Sequence, residues 1–389
     1  MIWLFFLAVL FVQFQSTQLL SYACIFILAS LSLAKALKNS REIKKKDILM
    51  FYVWTLMIFI MLRSSFALSI ETVIEVLWLS LGSICFIFIA TAESVKRLDV
   101  LKKIALAGSL GAIINLLASF LSWYNPLFID PPYAGSRWVG GFDGPNESAG
   151  FYVMIFALIL GLYLEKQYSF IKLLVSGSVL IPLIYSSFSR GALLSLLGIA
   201  LVFVCSTLFN SRRKMILLGA YSLIVWFFYN QYFDALMLKF NEVRSNASER
   251  DGLFVEAFRL FKQSPIFGHG LGSFAKISPI FDTVPHSDYL LFMVSGGIIG
   301  VAALTLFYFS FIIESFKRKH YPELFVLLVF VTQAFTFNNI VRGRLSILFW
   351  VIVILIYLGT AKRKSEAGQT AEVMTEPAQG SFKKLESAV

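Results

Sequence analysis

FIKLLVSGSVLIPLIYSSFSRGALLSLLGIALVFVCSTLFN, residues 170–210, is two long apolar runs joined by one tight polar turn. Lys172 and Arg190 are its only charged residues. Each run approaches the roughly 20 residues that an α-helix needs to cross a ~30 Å hydrocarbon core. In lipid such runs must be helical, because backbone N–H and C=O groups have no water to bond. The turn between them, Ser187-Phe188-Ser189-Arg190, is short enough to make the two helices antiparallel neighbours.

The same pattern extends outward over most of the chain. Apolar stretches of helical length fall near 1–14, 19–37, 48–66, 73–92, 104–124, 148–164, 170–188, 191–210, 215–230, 286–313, 322–340 and 343–360. Of the 389 residues 58% are hydrophobic and only 15% charged, and the mean hydropathy is +0.77. A soluble domain carries about 45–50% apolar and 25% charged residues, so lipid is the expected solvent here. The fold class expected is all-α integral membrane, with about twelve transmembrane helices. No Lys or Arg precedes Lys35, so the N-terminus reads as a retained first span rather than a signal peptide. Cys24, Cys85 and Cys205 lie inside apolar segments and read as small packing residues.

The net charge of +11 could suggest nucleic acid, but the basic residues come in short runs between the spans. Alternate connections carry Lys35 to Lys46, Lys96 to Lys103, Lys166 and Lys172, Arg212 to Lys214, Lys317 to Lys319, and Lys362 to Lys364. The opposite short connections carry only Arg63, Arg137, Arg190, Arg342 and Arg344. By the positive-inside rule the first set is cytoplasmic, which puts both termini in the cytoplasm. The polytopic domain then covers 1–364, and the polar segment 365–389 is expected to be a disordered cytoplasmic tail.

Three outer segments depart from short connectors. Residues 125–147 are rich in Pro and Gly, 187–190 form the tight turn, and 231–285 are too long for a plain connector. Within the long loop, Ser248 and Asp251 resemble a capping box. Leu253, Phe254, Ala257, Phe258 and Phe261 then recur on one helical face, with Glu256, Arg259, Lys262 and Gln263 opposite. Ser264-Pro265 ends this amphipathic helix, expected to lie on the membrane or cap the bundle. The glycines of Gly268-His269-Gly270-Leu271-Gly272 suit a tight re-entry turn.

Candidate chemistry gathers on this outer side. Arg190 stands at a junction of two apolar helices, where an arginine either snorkels or meets an anion. The guanidinium fork pairs bidentately with phosphate. Arg250 sits in the first turn of the loop helix, where a cation is unfavourable unless an anion joins it. Its bland alternative is a solvated charge paired with Glu249 or Asp251. Arg137 and Arg244 are further outer arginines. His286 follows Pro285 at the start of a span, and an imidazole there suits proton transfer or phosphate binding; capping the helix is the simpler role. Outer carboxylates include Asp130, Asp143, Glu147, Asp282 and Asp288, with Glu71 and Glu75 one helical turn apart. No His, Cys or carboxylate cluster has metal-ligand spacing, so no metal is expected.

Four short elements in order give these residues a context. They are Gly141-Phe142-Asp143-Gly144-Pro145-Asn146-Glu147, Ser187-Phe188-Ser189-Arg190-Gly191-Ala192, Ser264-Pro265-Ile266-Phe267-Gly268-His269-Gly270, and Pro285-His286-Ser287-Asp288-Tyr289-Leu290 followed by Gly296-Gly297-Ile298-Ile299-Gly300. Over about 137–300 the chain resembles the O-antigen ligase and polymerase superfamily, polytopic membrane glycosyltransferases. The resemblance rests on a Pro-Asn element, a Ser-Arg turn, an outer helix with a Pro-x-x-Gly-x-Gly turn, and a His-Asn-x-x-Leu and Gly-x-x-Gly element. Position 287 departs, with Ser where Asn is usual; Ser can still cap the helix.

That resemblance implies a glycan on undecaprenyl diphosphate as donor, at the outer leaflet of a bacterial inner membrane. Arg190 and Arg250 would hold the diphosphate and His286 would position or deprotonate the acceptor hydroxyl. Arg137, Arg244, Asn146 and Asp288 would contact substrate. The diphosphate is its own leaving group, so no cofactor, ATP or nucleotide sugar is implied. The acceptor would be lipid A-core for a ligase, or a second lipid-linked glycan for a polymerase; the loop layout favours the ligase. A secondary transporter or lipid carrier is the rival from another class. It would place polar residues at mid-membrane depth, where the spans offer little beyond Asn115 and Gln333.

Overall fold

The computed structural model describes residues 2–11, 13–14, 97–121, 133–134, 137–142, 144–208, 247–278 and 287–335, with isolated positions within 20–31 and 348–356. The spans expected near 48–66, 73–92 and 215–230 lie outside those residues, as do the tail and most of the spans near 19–37 and 343–360. What is described is helical: α1 (Ile2–Phe11), α2 (Arg97–Leu121), α3 (Pro145–Leu164), α4 (Phe170–Ser186), α5 (Arg190–Leu208), α6 (Ala247–Gln263), α7 (Phe274–Ile277), α8 (Asp288–Arg318) and α9 (Tyr321–Gln333). Within the Pro- and Gly-rich segment one short antiparallel pair forms, β1 (Tyr133–Ala134) against β2 (Arg137–Trp138).

Hydropathy located α3, α4, α5 and α9 to within a few residues of their starts. Helix α2 begins earlier than the expected 104, taking the basic run from Arg97 into its first turns. Among the described residues α2, α3 and α8 are long and apolar enough to cross a membrane.

Short turns make α3, α4 and α5 successive antiparallel neighbours, so the bundle has two ends. Helices α3 and α9 set the register. A Cβ at Gly161 would stand 2.2 Å from Pro322 Cα, and one at Gly150 would stand 2.7 Å from Gln333 Oε1. Equal lengths of chain separate the two glycines and their two partners, as antiparallel helices require. Small residues let helix backbones approach closely where lipid supplies no hydrophobic drive between them.

At the first end Arg97 lies between two carboxylates. Its guanidinium donates to both oxygens of buried Glu323 in the first turn of α9, and to Glu165 at 2.7 and 3.1 Å. Glu165 caps the C-terminus of α3, where the helix dipole disfavours an anion, and the arginine offsets that. Lys166, Lys172, Lys317, Arg318 and Lys319 belong to this Arg97 end. The opposite end carries the starts of α3 and α5, the C-terminus of α9, and the Ser187–Arg190 turn.

Helix α8 corrects one expectation. Residues 286–313 read as a single continuous span, yet the chain breaks at Gly297, whose φ of 62° only glycine adopts freely. In a straight helix Phe292 and Gly300 would be about 12 Å apart along the axis. Here a Cβ at Gly300 would stand 2.7 Å from the Phe292 carbonyl oxygen. The carboxylate of Asp288 also acts electrostatically on Tyr308, some 30 Å away were the helix straight. Residues 288–296 therefore fold back along 298–308 as a helical hairpin, and the second arm, 298–318, is long enough to span alone.

Breaking a helix leaves backbone groups without partners. The glycine turn after α6 supplies them. His269 N donates to Val294 O (2.7 Å) and Gly270 N to Ser295 O (2.9 Å), while Pro265 O accepts from Ile298 N (2.8 Å). A Cβ at Gly268 would meet Gly296 N at 2.5 Å, and one at Gly297 would meet the Ile266 carbonyl at 2.4 Å. Gly268, Gly270 and Gly272 all have positive φ. The turn expected as a re-entry is thus the plug of the hairpin apex, locked by glycine on both sides.

The amphipathic helix α6 is also rotated from expectation. Leu253, Ala257 and Leu260 are its buried stripe, clustered with Leu290, Met293 and Val294 of the hairpin's first arm. Phe254 and Phe258, expected on the same face, are exposed. Glu256, expected on the solvent side, is buried. The apolar arc is wider than one packing face, and Glu256 fits because Arg259 donates to both its carboxylate oxygens at 2.7 Å. That bonding holds its carboxyl below the usual range, against an upward push from burial.

Candidate functional site at the Arg190 end

The last turn of α9 organises this end. Successive helical residues point about 100° apart, so three in a row can reach three neighbours. Thr332 Oγ1 lies 2.6 Å from Ser195 Oγ on α5. Gln333 Nε2 donates to the Gly150 carbonyl on α3 (3.4 Å). The Ala334 carbonyl accepts from Ser287 Oγ (2.9 Å), immediately before α8. Each partner stands within five residues of a candidate site residue: Ser195 of Arg190, Gly150 of Asn146, and Ser287 of both His286 and Asp288.

Arg190 opens α5 and is exposed. The turn before it is built by hydroxyls. Ser187 Oγ donates to Ile184 O at 2.6 Å and accepts from Ser189 N at 3.3 Å, and Phe188 takes a positive φ of 50°. Ser195 Oγ also approaches the Gly191 carbonyl at 2.8 Å, one residue beyond Arg190. The first turn of α5 is thereby fixed from both sides.

Asn146 is the second residue of α3 and partly exposed, after Pro145 at the helix start, where proline is pre-organised. The chain leading into it is anchored by Asn115. That amide accepts from Gly141 N (2.9 Å) and donates to Gly111 O (3.1 Å) and the Tyr152 hydroxyl (3.0 Å). Trp138 and Phe142 then pack on Tyr152. Arg137 is the β2 residue just ahead of Trp138.

Ser287 does cap the first arm of α8, accepting from Leu290 N at 3.4 Å. Serine therefore fills the role expected of asparagine and ties the cap to α9 as well. Asp288 is the first residue of the arm and buried, at the helix end where the dipole favours a carboxylate. His286 and Arg244 lie outside the described residues. Arg250 is in the first turn of α6. His269 Nε2 bonds Leu260 O (2.8 Å) and its backbone bonds Val294, which ties the far end of α6 to the hairpin apex. Leu253 and Leu290 share one buried cluster, so the Arg250 turn lies on the Asp288 side.

The structure thus brings Arg190, Asn146 and Asp288 to one end and aims α6 at it. The sequence reading missed Ser195 and Thr332. Thr332 gave no signal because a threonine hydroxyl can return to its own helix, as it does to Leu328 O and Val329 O at 3.0 Å. Gln333 and Asn115 did stand out, and their hydrogen bonds to neighbouring backbones account for polar side chains at that depth.

A family model described as O-antigen ligase matches residues 178–305. That region is similar to O-antigen ligases. It runs from α4 through the Ser-Arg turn, α6 and the glycine turn into the second arm of α8, and so contains Arg190, Arg244, Arg250, His286 and Asp288. Arg137, Asn146 and the last turn of α9 lie outside the matched domain. No curated protein matches the chain.

Proposed function

We propose that the protein transfers a glycan from undecaprenyl diphosphate to an acceptor hydroxyl at the outer leaflet of a bacterial inner membrane, as an O-antigen ligase acting on lipid A-core. The observation that carries the reading is the junction at the last turn of α9, which joins the helices bearing Arg190, Asn146 and Asp288. In this reading the basic Arg97 end is cytoplasmic and the Arg190 end faces the periplasm.

Arg190 and Arg250 hold the donor's diphosphate and stabilise its charge as it leaves. His286 takes the proton from the acceptor hydroxyl, whose oxygen attacks the anomeric carbon. The bond from that carbon to the phosphate oxygen breaks, and undecaprenyl diphosphate departs. Arg137, Arg244, Asn146 and Asp288 position the two substrates. Neither metal nor nucleotide is required, since the diphosphate is already a good leaving group.

Arg190→Ala, Arg250→Ala and His286→Ala should each insert normally and abolish surface glycan in cells. Unchanged surface glycan from all three would overturn the site. Purified full-length protein given lipid-linked glycan should label lipid A-core; extension of a second lipid-linked glycan instead would identify a polymerase.

A further inference from the structure

We infer that Thr332 and Gln333 are positioning residues for this transfer, setting the spacing between Arg190, Asn146 and the start of α8 at Ser287–Asp288; this rests on the function proposed above. Neither side chain is placed to touch substrate. Each bonds a residue of a helix that carries a proposed substrate contact: Ser195 on the helix begun by Arg190, and Gly150 on the helix begun by Pro145-Asn146. Thr332 meets Ser195 at 2.6 Å, and Ser195 in turn reaches the Gly191 carbonyl at 2.8 Å. With Thr332 Oγ1 donating to Ser195 Oγ and Ser195 Oγ donating to the Gly191 carbonyl, the two hydroxyls form a short relay that couples α9 to the first turn of α5. Gln333 reaches the Gly150 carbonyl, and a Cβ at Gly150 would stand 2.7 Å from its Oε1. That contact leaves no slack between α9 and the helix that begins at Pro145-Asn146. The next residue, Ala334, takes the Ser287 hydroxyl through its carbonyl.

Three helices that carry the proposed donor and acceptor groups are therefore indexed to three consecutive residues of a fourth. All of these links are neutral, which suits spacing better than charge stabilisation. A misplacement of about 1 Å remote from the reacting atoms can cost on the order of 100-fold in rate. Losing one hydroxyl link should therefore appear in turnover before it appears in folding.

The test uses full-length protein in proteoliposomes, with an undecaprenyl diphosphate-linked oligosaccharide as donor and lipid A-core as acceptor. Thr332→Val keeps the shape and removes the hydroxyl; it should lower turnover by about 10- to 100-fold with little change in melting temperature or in acceptor KM. Thr332→Ser should restore turnover, which a role in packing alone would not give. Gln333→Leu should lower turnover similarly. Should Thr332→Val fail to fold, Ser195→Ala breaks the same link while leaving Thr332 bonded to its own helix. Wild-type turnover in Gln333→Leu and in Thr332→Val, or in Ser195→Ala where Thr332→Val does not fold, with Arg190→Ala inactive, would overturn the positioning inference alone. An active Arg190→Ala would overturn the proposed site and the inference with it.

Discussion

Helices α3 and α9 meet at both ends of the bundle, and the two meetings are built from opposite chemistry. At one end Arg97 clamps Glu165 and buried Glu323 with a charged fork. At the other Gln333 and Gly150, Thr332 and Ser195, and Ala334 and Ser287 make only neutral hydrogen bonds. A guanidinium between two carboxylates is satisfied internally and has little left for a ligand. Neutral links, by contrast, hold backbones in place without drawing on charge, and Arg190 at that end is exposed. The charged end is a fastening, and the neutral end sets spacing.

The largest effect should come from the fastening. Removing one partner of a buried ion pair costs about 3–5 kcal/mol, because a charge stays behind without compensation. Arg97→Ala leaves Glu323, with 0% side-chain exposure, facing Glu165 across the vacated space. We expect little folded protein to accumulate, with the deficit read by detergent-solubilised fluorescence size-exclusion. Arg97→Ala combined with Glu323→Gln and Glu165→Gln should recover part of it, since no buried anion then remains. Full accumulation of Arg97→Ala would break the contrast, because the clamp would then contribute nothing.

At the neutral end the effect should be smaller and should fall on activity. A Cβ added at Gly150 meets the end of a flexible side chain, so Gln333 can move, but only by giving up its carbonyl. Overpacking of this kind costs about 1–3 kcal/mol. Gly150→Ala should therefore accumulate as folded protein yet lose most surface glycan. Adding Gln333→Ala removes the clash, and thermal stability should recover while activity does not. Recovery of both would mean that Gln333 only fills space.

How much of this was legible in the sequence follows from the range of the interactions. Span lengths, the Ser187–Arg190 turn and the end of α6 at Ser264-Pro265 depend on neighbours in the chain, and hydropathy and turn chemistry read them well. The hairpin at Gly297 was not read, because the apolar pattern continues unbroken through Gly296-Gly297. What breaks the helix there is a distant partner, the 265–270 turn, whose backbone satisfies the groups the break exposes. The rotation of α6 has a similar cause: with Phe254, Phe258 and Leu260 all available, only the shape of the first arm decides which stripe packs. The Arg97 clamp joins residues far apart in the chain and leaves no local mark. Arg190, Asn146 and Asp288 were legible as candidates one by one; that α9 joins them was not.

The smallest effect should come from the Glu256–Arg259 pair, the ion pair of α6 and so a partial exception to the neutral rule at this end. Its guanidinium is about half exposed, and exposed pairs contribute little through solvent screening. The bonding from Arg259 lowers the Glu256 pKa in the folded state. A carboxylate depressed on folding adds stability that is fully present above its unfolded pKa, near 4.3, and is lost as pH falls through the lower folded value. Docking of α6 on the hairpin should therefore be insensitive to pH from 7 down to about 5 and weaken only in stronger acid. Proteolysis within α6, followed against pH, would show this as a rise in cutting below pH 4.3 that Glu256→Gln shifts or removes. A rise already at pH 6 would assign the docking to another titrating group and remove the exception. In either case the effect on glycan transfer near neutral pH should be slight, since Glu256 stays ionised and bonded to Arg259 there.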